Sequence, residues 1–165
     1  MQNFDYVTPT RLIFGEGVIS ELPAVMKPFG KRVLLTYGGG STKRMGLYDK
    51  VKELLADFEI YELSGIQPNP KYDPSVLDGV KICKEQKIDV ILAVGGGSVM
   101  DTAKLASILM TDEYGIKELL DTPTQAKKCI KSLMIPTTAG TGSEATPNAI
   151  VAVPEKQLKV GIVNP

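Results

Sequence analysis

Between Lys31 and Pro136, short apolar runs alternate with segments whose apolar residues recur at helical spacing. Arg32-Val33-Leu34-Leu35-Thr36 has the continuous apolar pattern of a buried strand, and Gly38-Gly39-Gly40 ends it. Leu47, Val51, Leu54, Leu55 and Phe58 then share one stripe of a helix. A short strand over Ile60 to Leu63 follows, and a loop over Ser64 to Tyr72 carries Gly65, Pro68, Asn69 and Pro70. Asp73-Pro74 marks a helix start, with a side chain to cap and a ring that presets φ, and Val76, Leu77, Val80 and Cys83 give that helix its buried face. Val90-Ile91-Leu92-Ala93-Val94 is apolar on both faces, as an interior strand of a parallel sheet must be. It runs into Gly95-Gly96-Gly97-Ser98 and a helix bearing Ala103, Leu105, Ala106, Ile108 and Leu109, and Leu133 to Ile135 gives a further strand. The alternation predicts an α/β fold built on an open, doubly wound, mostly parallel sheet.

Both ends depart from this pattern. Thr10 to Phe14 predicts a separate strand, before a helix around Val18 to Met26. Ala149 to Val153 and Lys159 to Val163 predict a terminal β-hairpin around Pro154-Glu155-Lys156-Gln157. A hairpin that ends on Asn164-Pro165 suggests an interrupted domain, so the expectation is one domain over 1–165, cut short at its C-terminal side.

Composition narrows the chemistry. Of the 165 residues 43% are hydrophobic, enough for a core without staples. Lys+Arg and Asp+Glu both total 19, so no net field draws nucleic acid or an anionic membrane, and aromatics at 6% with no Trp offer no base-stacking platform. The absence of His from these residues removes Ser-His-Asp and Cys-His catalysis and any imidazole-based metal site from them. Cys83 and Cys129 are too few and too far apart for a zinc knuckle or redox pair and suit a reducing compartment. The first residues carry no basic-then-apolar leader, and no apolar run approaches the ~20 residues of a membrane span. The expected location is the cytoplasm.

Ligands of open α/β sheets bind beyond the carboxyl ends of the strands. Three loops rich in Gly, Ser or Thr fall there: Tyr37 to Lys43, Gly95 to Asp101 and Pro136 to Glu144. Each can present backbone amides to a phosphate, and the second opens a helix. Gly95 to Asp101 lacks the third glycine of G-x-G-x-x-G and the Gly-Lys-Ser/Thr of a P-loop, so by itself it also fits a plain strand-to-helix turn, with Asp101 a first-turn residue favouring the helix dipole. Pro136-Thr137-Thr138-Ala139-Gly140-Thr141-Gly142-Ser143-Glu144 is costly to order unless something binds it.

Gly95-Gly96-Gly97-Ser98-x-x-Asp101 and the Pro136 to Glu144 stretch resemble the motifs of iron-containing (group III) alcohol dehydrogenases. Thr10-Arg11-Leu12-Ile13-Phe14-Gly15-x-Gly17 and Pro68-Asn69-Pro70 match the same family in the same order, and Tyr37-Gly38-Gly39-Gly40-Ser41 is similar to its butanol dehydrogenase and NADPH-dependent aldehyde reductase branch. The resemblance implies a Rossmann-like dinucleotide-binding domain, which the family pairs with a helical domain holding a divalent metal, Fe or Zn, on one Asp and three His. No such ligand is carried over here. It further implies that Gly96, Gly97 and Ser98 hold the pyrophosphate, with Asp101 near the nicotinamide. Thr137, Thr138, Thr141 and Ser143 would bond ribose and phosphate, Lys159 would lie beside the cofactor, and Gly38, Gly39 and Ser41 would face the adenosine ribose. A lysine on a hairpin is otherwise simply solvated.

The implied activity is NAD(P)-dependent interconversion of small alcohols and aldehydes, with these residues supplying the cofactor half and nearly inactive alone. A stand-alone nucleotide-binding module, a polyol or sugar-phosphate dehydrogenase and a dehydroquinate-synthase-like domain are the competing readings. An acid after the loop at Gly38 would bond ribose hydroxyls and repel a 2′-phosphate; Gly and Ser stand there, with Lys43 and Arg44 behind, so NADP is expected over NAD. Lys43 and Arg44 would otherwise just cap a helix turn. A cofactor cleft between two domains would leave apolar surface exposed near the hairpin, so a homo-oligomer is expected.

Overall fold

The computed structural model describes residues 9–111, 113–122 and 126–163. Four parallel strands, β1 (Arg32–Gly38), β2 (Glu59–Ile66), β3 (Val90–Gly95) and β4 (Lys131–Pro136), form one sheet in the order β2-β1-β3-β4. The chain leaves β1 toward one edge and returns through β3 toward the other. The topological switch point therefore lies between β1 and β3, whose carboxyl ends are Gly38 and Gly95.

Side-chain alternation along the two central strands separates two cores. Val33, Leu35, Val90, Leu92 and Val94 pack with Leu22 and Met26 of α1 (Leu22–Met26) and with Val51 of the third helix, below. Leu34, Ile91 and Ala93 face the other way. After β1 come a single turn, α2 (Ser41–Arg44), and α3 (Leu47–Leu54); after β2 comes α4 (Leu77–Glu85); after β3 comes α5 (Gly97–Leu109). Cys83 of α4 and Met100, Ala103 and Ala106 of α5 cover the second face.

Helix α5 is buried from Val99 through Leu109, because a further layer lies outside it. That layer is the antiparallel hairpin of β5 (Asn148–Val153) and β6 (Leu158–Val163) with α6 (Ile116–Asp121), whose Ala149, Val151, Ile162 and Leu119 meet Leu105, Ile108 and Leu109. A helix covered on all sides buries its polar residues as well, here Asp101, Thr102, Lys104 and Ser107. Ile150 and Leu158 of the hairpin stay exposed.

Two local expectations are corrected. Thr10 to Phe14 forms no strand: among the described residues no strand pairs with it, and Leu12 and Phe14 are exposed at 73% and 93%. Strand β2 runs on to Ile66, into the stretch read as loop, because it keeps a parallel partner as far as Gly38. The helix start at Asp73-Pro74 is present: Asp73 is extended (φ −110°, ψ 127°), as a residue preceding a helix is, and the chain runs on through Val76 into α4, although no side-chain cap bond forms. The helix at Val18 to Met26 is present in two pieces, a 3-10 turn (Val18–Glu21) and α1, which carries Pro23 in its first turn.

Helix α4 sits close to the sheet and to α5 at Gly79. A Cβ on that glycine would lie 3.2 Å from Leu63 Cδ2 and 3.3 Å from Ala106 Cβ. Gly79→Leu is expected to lower unfolding stability by about 1–3 kcal/mol through overpacking. Denaturant unfolding measures this, and an unchanged midpoint would contradict the close approach.

Candidate dinucleotide site

The carboxyl ends of β1 and β3 meet at Val99, in the first turn of α5. A Cβ at Gly95 would lie 2.6 Å from Val99 Cγ2, and one at Gly38 would lie 3.8 Å from the same methyl. Glycine is therefore imposed at Gly95 by the fold itself. The next two glycines face the loop after β4. A Cβ on Gly96 would stand 3.3 Å from Thr138 Oγ1, and one on Gly97 would stand 3.3 Å from Thr141 Cγ2. Thr137 N–H donates to Gly95 C=O at 3.0 Å, which fixes the root of that loop to the turn. No side chain caps α5, and the Val99 amide donates to Gly96 C=O at 3.0 Å, so the helix start offers the amides of Gly97 and Ser98 ahead of it.

A cleft of about 520 Å³ opens here, within the range of ligand sites. Gly97, Ser98, Asp101, Thr141, Ser143 and Lys159 line it, together with Asn69, Pro70, Thr146, Asn148 and Ile150, which sequence reasoning had not assigned. Asn69 closes one end in the left-handed region (φ 55°): its N–H donates to Ser98 Oγ at 3.2 Å, and its Oδ1 accepts from Lys159 Nζ at 2.9 Å. Ala152 N–H donates to Pro70 C=O at 2.9 Å, so the Pro68-Asn69-Pro70 loop joins α5 to the hairpin. Lys159 is thus a partner of Asn69, beyond simple solvation. Thr137 and Thr138 meet the turn at Gly95 and Gly96 and do not line the cleft, and neither do Gly38, Gly39 and Ser41.

The wall of the cleft hangs on a buried polar network. Asp101 is the fifth residue of α5, past the first turn, so it is not the dipole partner of the helix start. Its Oδ1 accepts from Ser143 Oγ at 2.7 Å and its Oδ2 from Ile150 N–H at 3.1 Å. Lys104, one turn on and only 3% exposed, donates to Ser143 Oγ at 2.9 Å and to Asn148 C=O at 2.7 Å, with its ammonium 3.9 Å from Asp101. Burial pushes the Lys104 ammonium below the usual lysine range, against the opposing pull of Asp101 and Glu144. Ser143 donates its proton to Asp101, so its hydroxyl holds the loop in place. Lys104 was missed because a lysine three residues after an aspartate on a helix reads as a solvated pair. The signal was its setting among Ala103, Leu105 and Ala106.

A second cluster supports the loop at Gly38 to Ser41. Tyr37 and Tyr48 donate to the two oxygens of Glu62 at 2.7 and 2.8 Å, and Lys52 donates to the same carboxylate at 3.1 Å. Burial alone would raise the Glu62 carboxyl, but the two phenols and Lys52 outweigh it and hold it below its ordinary value. The bond to Glu62 pushes Tyr48 up to about 12, with burial adding to it. This carboxylate corrects the expectation that none lies near the loop: it comes from β2, distant in sequence.

Two outcomes follow from these networks. Lys104→Met leaves a buried carboxylate without its cation and is expected to cost about 3 kcal/mol in denaturant unfolding. A loss under about 1 kcal/mol would contradict a structural charge there. For Tyr48 the folded state holds its proton up to about 12 against 10.0 for the free phenol, so the stabilisation is complete below pH 10 and lost as pH rises through 12. Tyr48→Phe should therefore show a shallower fall of stability between those values; an unchanged slope would contradict the Glu62 bond.

The model of the family described as iron-containing alcohol dehydrogenase matches residues 9–165. The chain is 44% identical, over its whole length, to a probable NADH-dependent butanol dehydrogenase 1 of Bacillus subtilis, of which it covers 43%. It is 39% identical over 92% of its length to the NADPH-dependent aldehyde reductase YqhD of Escherichia coli, covering 40% of that protein. Among solved structures, NADH-dependent butanol dehydrogenase A of Thermotoga maritima superposes on 99% of the chain with a TM-score of 0.92 at 35% identity, and 42% of that structure is covered. The chain thus spans about two fifths of the length of these relatives. With the parallel sheet, the glycine turn and the Thr-rich loop in one arrangement, this chain belongs to the iron-containing alcohol dehydrogenase family.

Proposed function

We propose that residues 1–165 are the dinucleotide-binding domain of an oxidoreductase that interconverts small alcohols and aldehydes, with NADP preferred over NAD. The observation that carries this is the cleft at the start of α5, which Gly97 and Ser98 line from the helix and Thr141 and Ser143 from the loop after β4. The residues fit the group. Backbone amides of Gly96, Gly97 and Ser98 at the start of α5 would hold the pyrophosphate. Thr137, Thr138 and Thr141 would bond ribose and phosphate, with Ser143 fixing their loop. Asp101 lies toward the nicotinamide end, Lys159 beside the cofactor, and Gly38, Gly39 and Ser41 on the adenosine ribose. When bound, the nicotinamide supplies the hydride donor or acceptor; the chain orients it and excludes water from one side.

Among the described residues no group of three or more His, Cys, Asp or Glu could hold an ion, and the sequence contains no His. The metal-bearing part, Fe or Zn, belongs on our proposal to further residues of the whole protein, which would be homo-oligomeric and cytoplasmic. No helix among the described residues is long and apolar enough to cross a membrane.

Calorimetric titration of the chain tests the proposal. NADPH is expected to bind more tightly than NADH, and Gly97→Val to lose most of the affinity for both by pressing on Thr141. Tighter NADH binding would overturn the NADP preference. Binding of neither, with the chain folded, would overturn the cofactor assignment.

A further inference from the structure

We propose that Arg44 is the residue that reads the 2′-phosphate of the adenosine ribose, and that its neighbour Lys43 is committed to a different task. This rests on the proposed placement of the adenosine end at Gly38 to Ser41. Both cations follow that loop on the short helix α2, and sequence alone gives them equal claim. The structure separates them.

The Lys43 ammonium lies over two aromatic faces, 4.6 Å from the Tyr48 ring centroid and 5.3 Å from that of Tyr37. The two rings are themselves in tilted contact, with centroids 5.3 Å apart, and both phenols donate to Glu62. A cation held on π faces whose hydroxyls sit on a carboxylate has its field largely answered within the cluster. Lys43 is therefore a positioning residue that packs α2 onto the end of β1.

Arg44 turns the other way. Gly40 has φ +124° and no side chain, and a Cβ built there would lie 3.3 Å from Arg44 Nη1. The guanidinium thus rests on the bare face of the glycine loop. Its root is fixed by the bond from Arg44 N–H to Gly40 C=O at 3.0 Å. Among the described residues its side chain makes no hydrogen bond or ion pair. An exposed guanidinium with its donors unspent, beside backbone that closely follows the loop, suits bidentate contact with a phosphate monoester. Gly40 is then required twice: for its φ, and to leave room for the guanidinium.

The test compares adenosine 2′,5′-bisphosphate with adenosine 5′-monophosphate, which differ only in the 2′-phosphate, by calorimetry on the whole chain. Wild type is expected to favour the bisphosphate. Arg44→Met should cut that preference about tenfold, as loss of one charge-assisted contact does. Arg44→Lys should restore part of it, and Lys43→Met should leave it unchanged while lowering the thermal midpoint. A preference lost in Lys43→Met and kept in Arg44→Met overturns the assignment, as does one unchanged in Arg44→Met. Wild type that binds both probes equally overturns the NADP preference as well. Wild type that binds neither overturns the adenosine placement on which the assignment rests.

Discussion

Everything on the cleft side of this molecule depends on one buried charge. Lys104 lies inside a helix that is covered on every side, and it holds the loop after β4 and the first residue of β5 through Ser143 and Asn148. Asp101, a turn earlier, answers the charge and takes Ser143 and Ile150. Hydrophobic contacts between α5 and the hairpin would hold the two layers together without fixing their register. Directional bonds to a charge in a low-dielectric setting do fix it, because leaving any member unpaired is expensive.

A steric constraint complements this polar one. Val99 occupies the crevice where the strand order reverses, and the two strand ends beside it carry glycine. The loop after β4 then closes down over Gly96 and Gly97 until threonine side chains touch the space their missing Cβ atoms would fill. The anchored loop and the bare turn leave a cleft with amides on one wall and hydroxyls on the other. That pairing of donors matches a pyrophosphate and its riboses better than it matches an apolar ligand.

Much of this was legible in the sequence because the relevant signals are local. Leu34 and Leu35 lie in one apolar run because both faces of β1 are covered. The glycine and threonine loops announced the binding edge. What stayed hidden depends on partners distant along the chain. Thr10 to Phe14 has the residue types of a strand, but residue type cannot supply a ladder to pair with. Lys104 looked like a surface charge; only the packing of the hairpin over α5 makes it an internal support. Asn69, with its bonds to Ser98 and Lys159, belongs to the same class of long-range surprise.

The most direct measurement of the central claim is a map of amide chemical-shift changes in the isotope-labelled chain as NADP⁺ is added. If the anchored loop over the glycine turn is the dinucleotide cleft, the changes concentrate at Gly96, Gly97, Ser98, Thr138, Thr141 and Asn69, with a second group at Gly38 to Ser41. Changes centred instead on the groove of Tyr72, Leu77 and Tyr114 at the opposite side of α4 and α5's last turn, or none at the glycine turn at saturation, would contradict it.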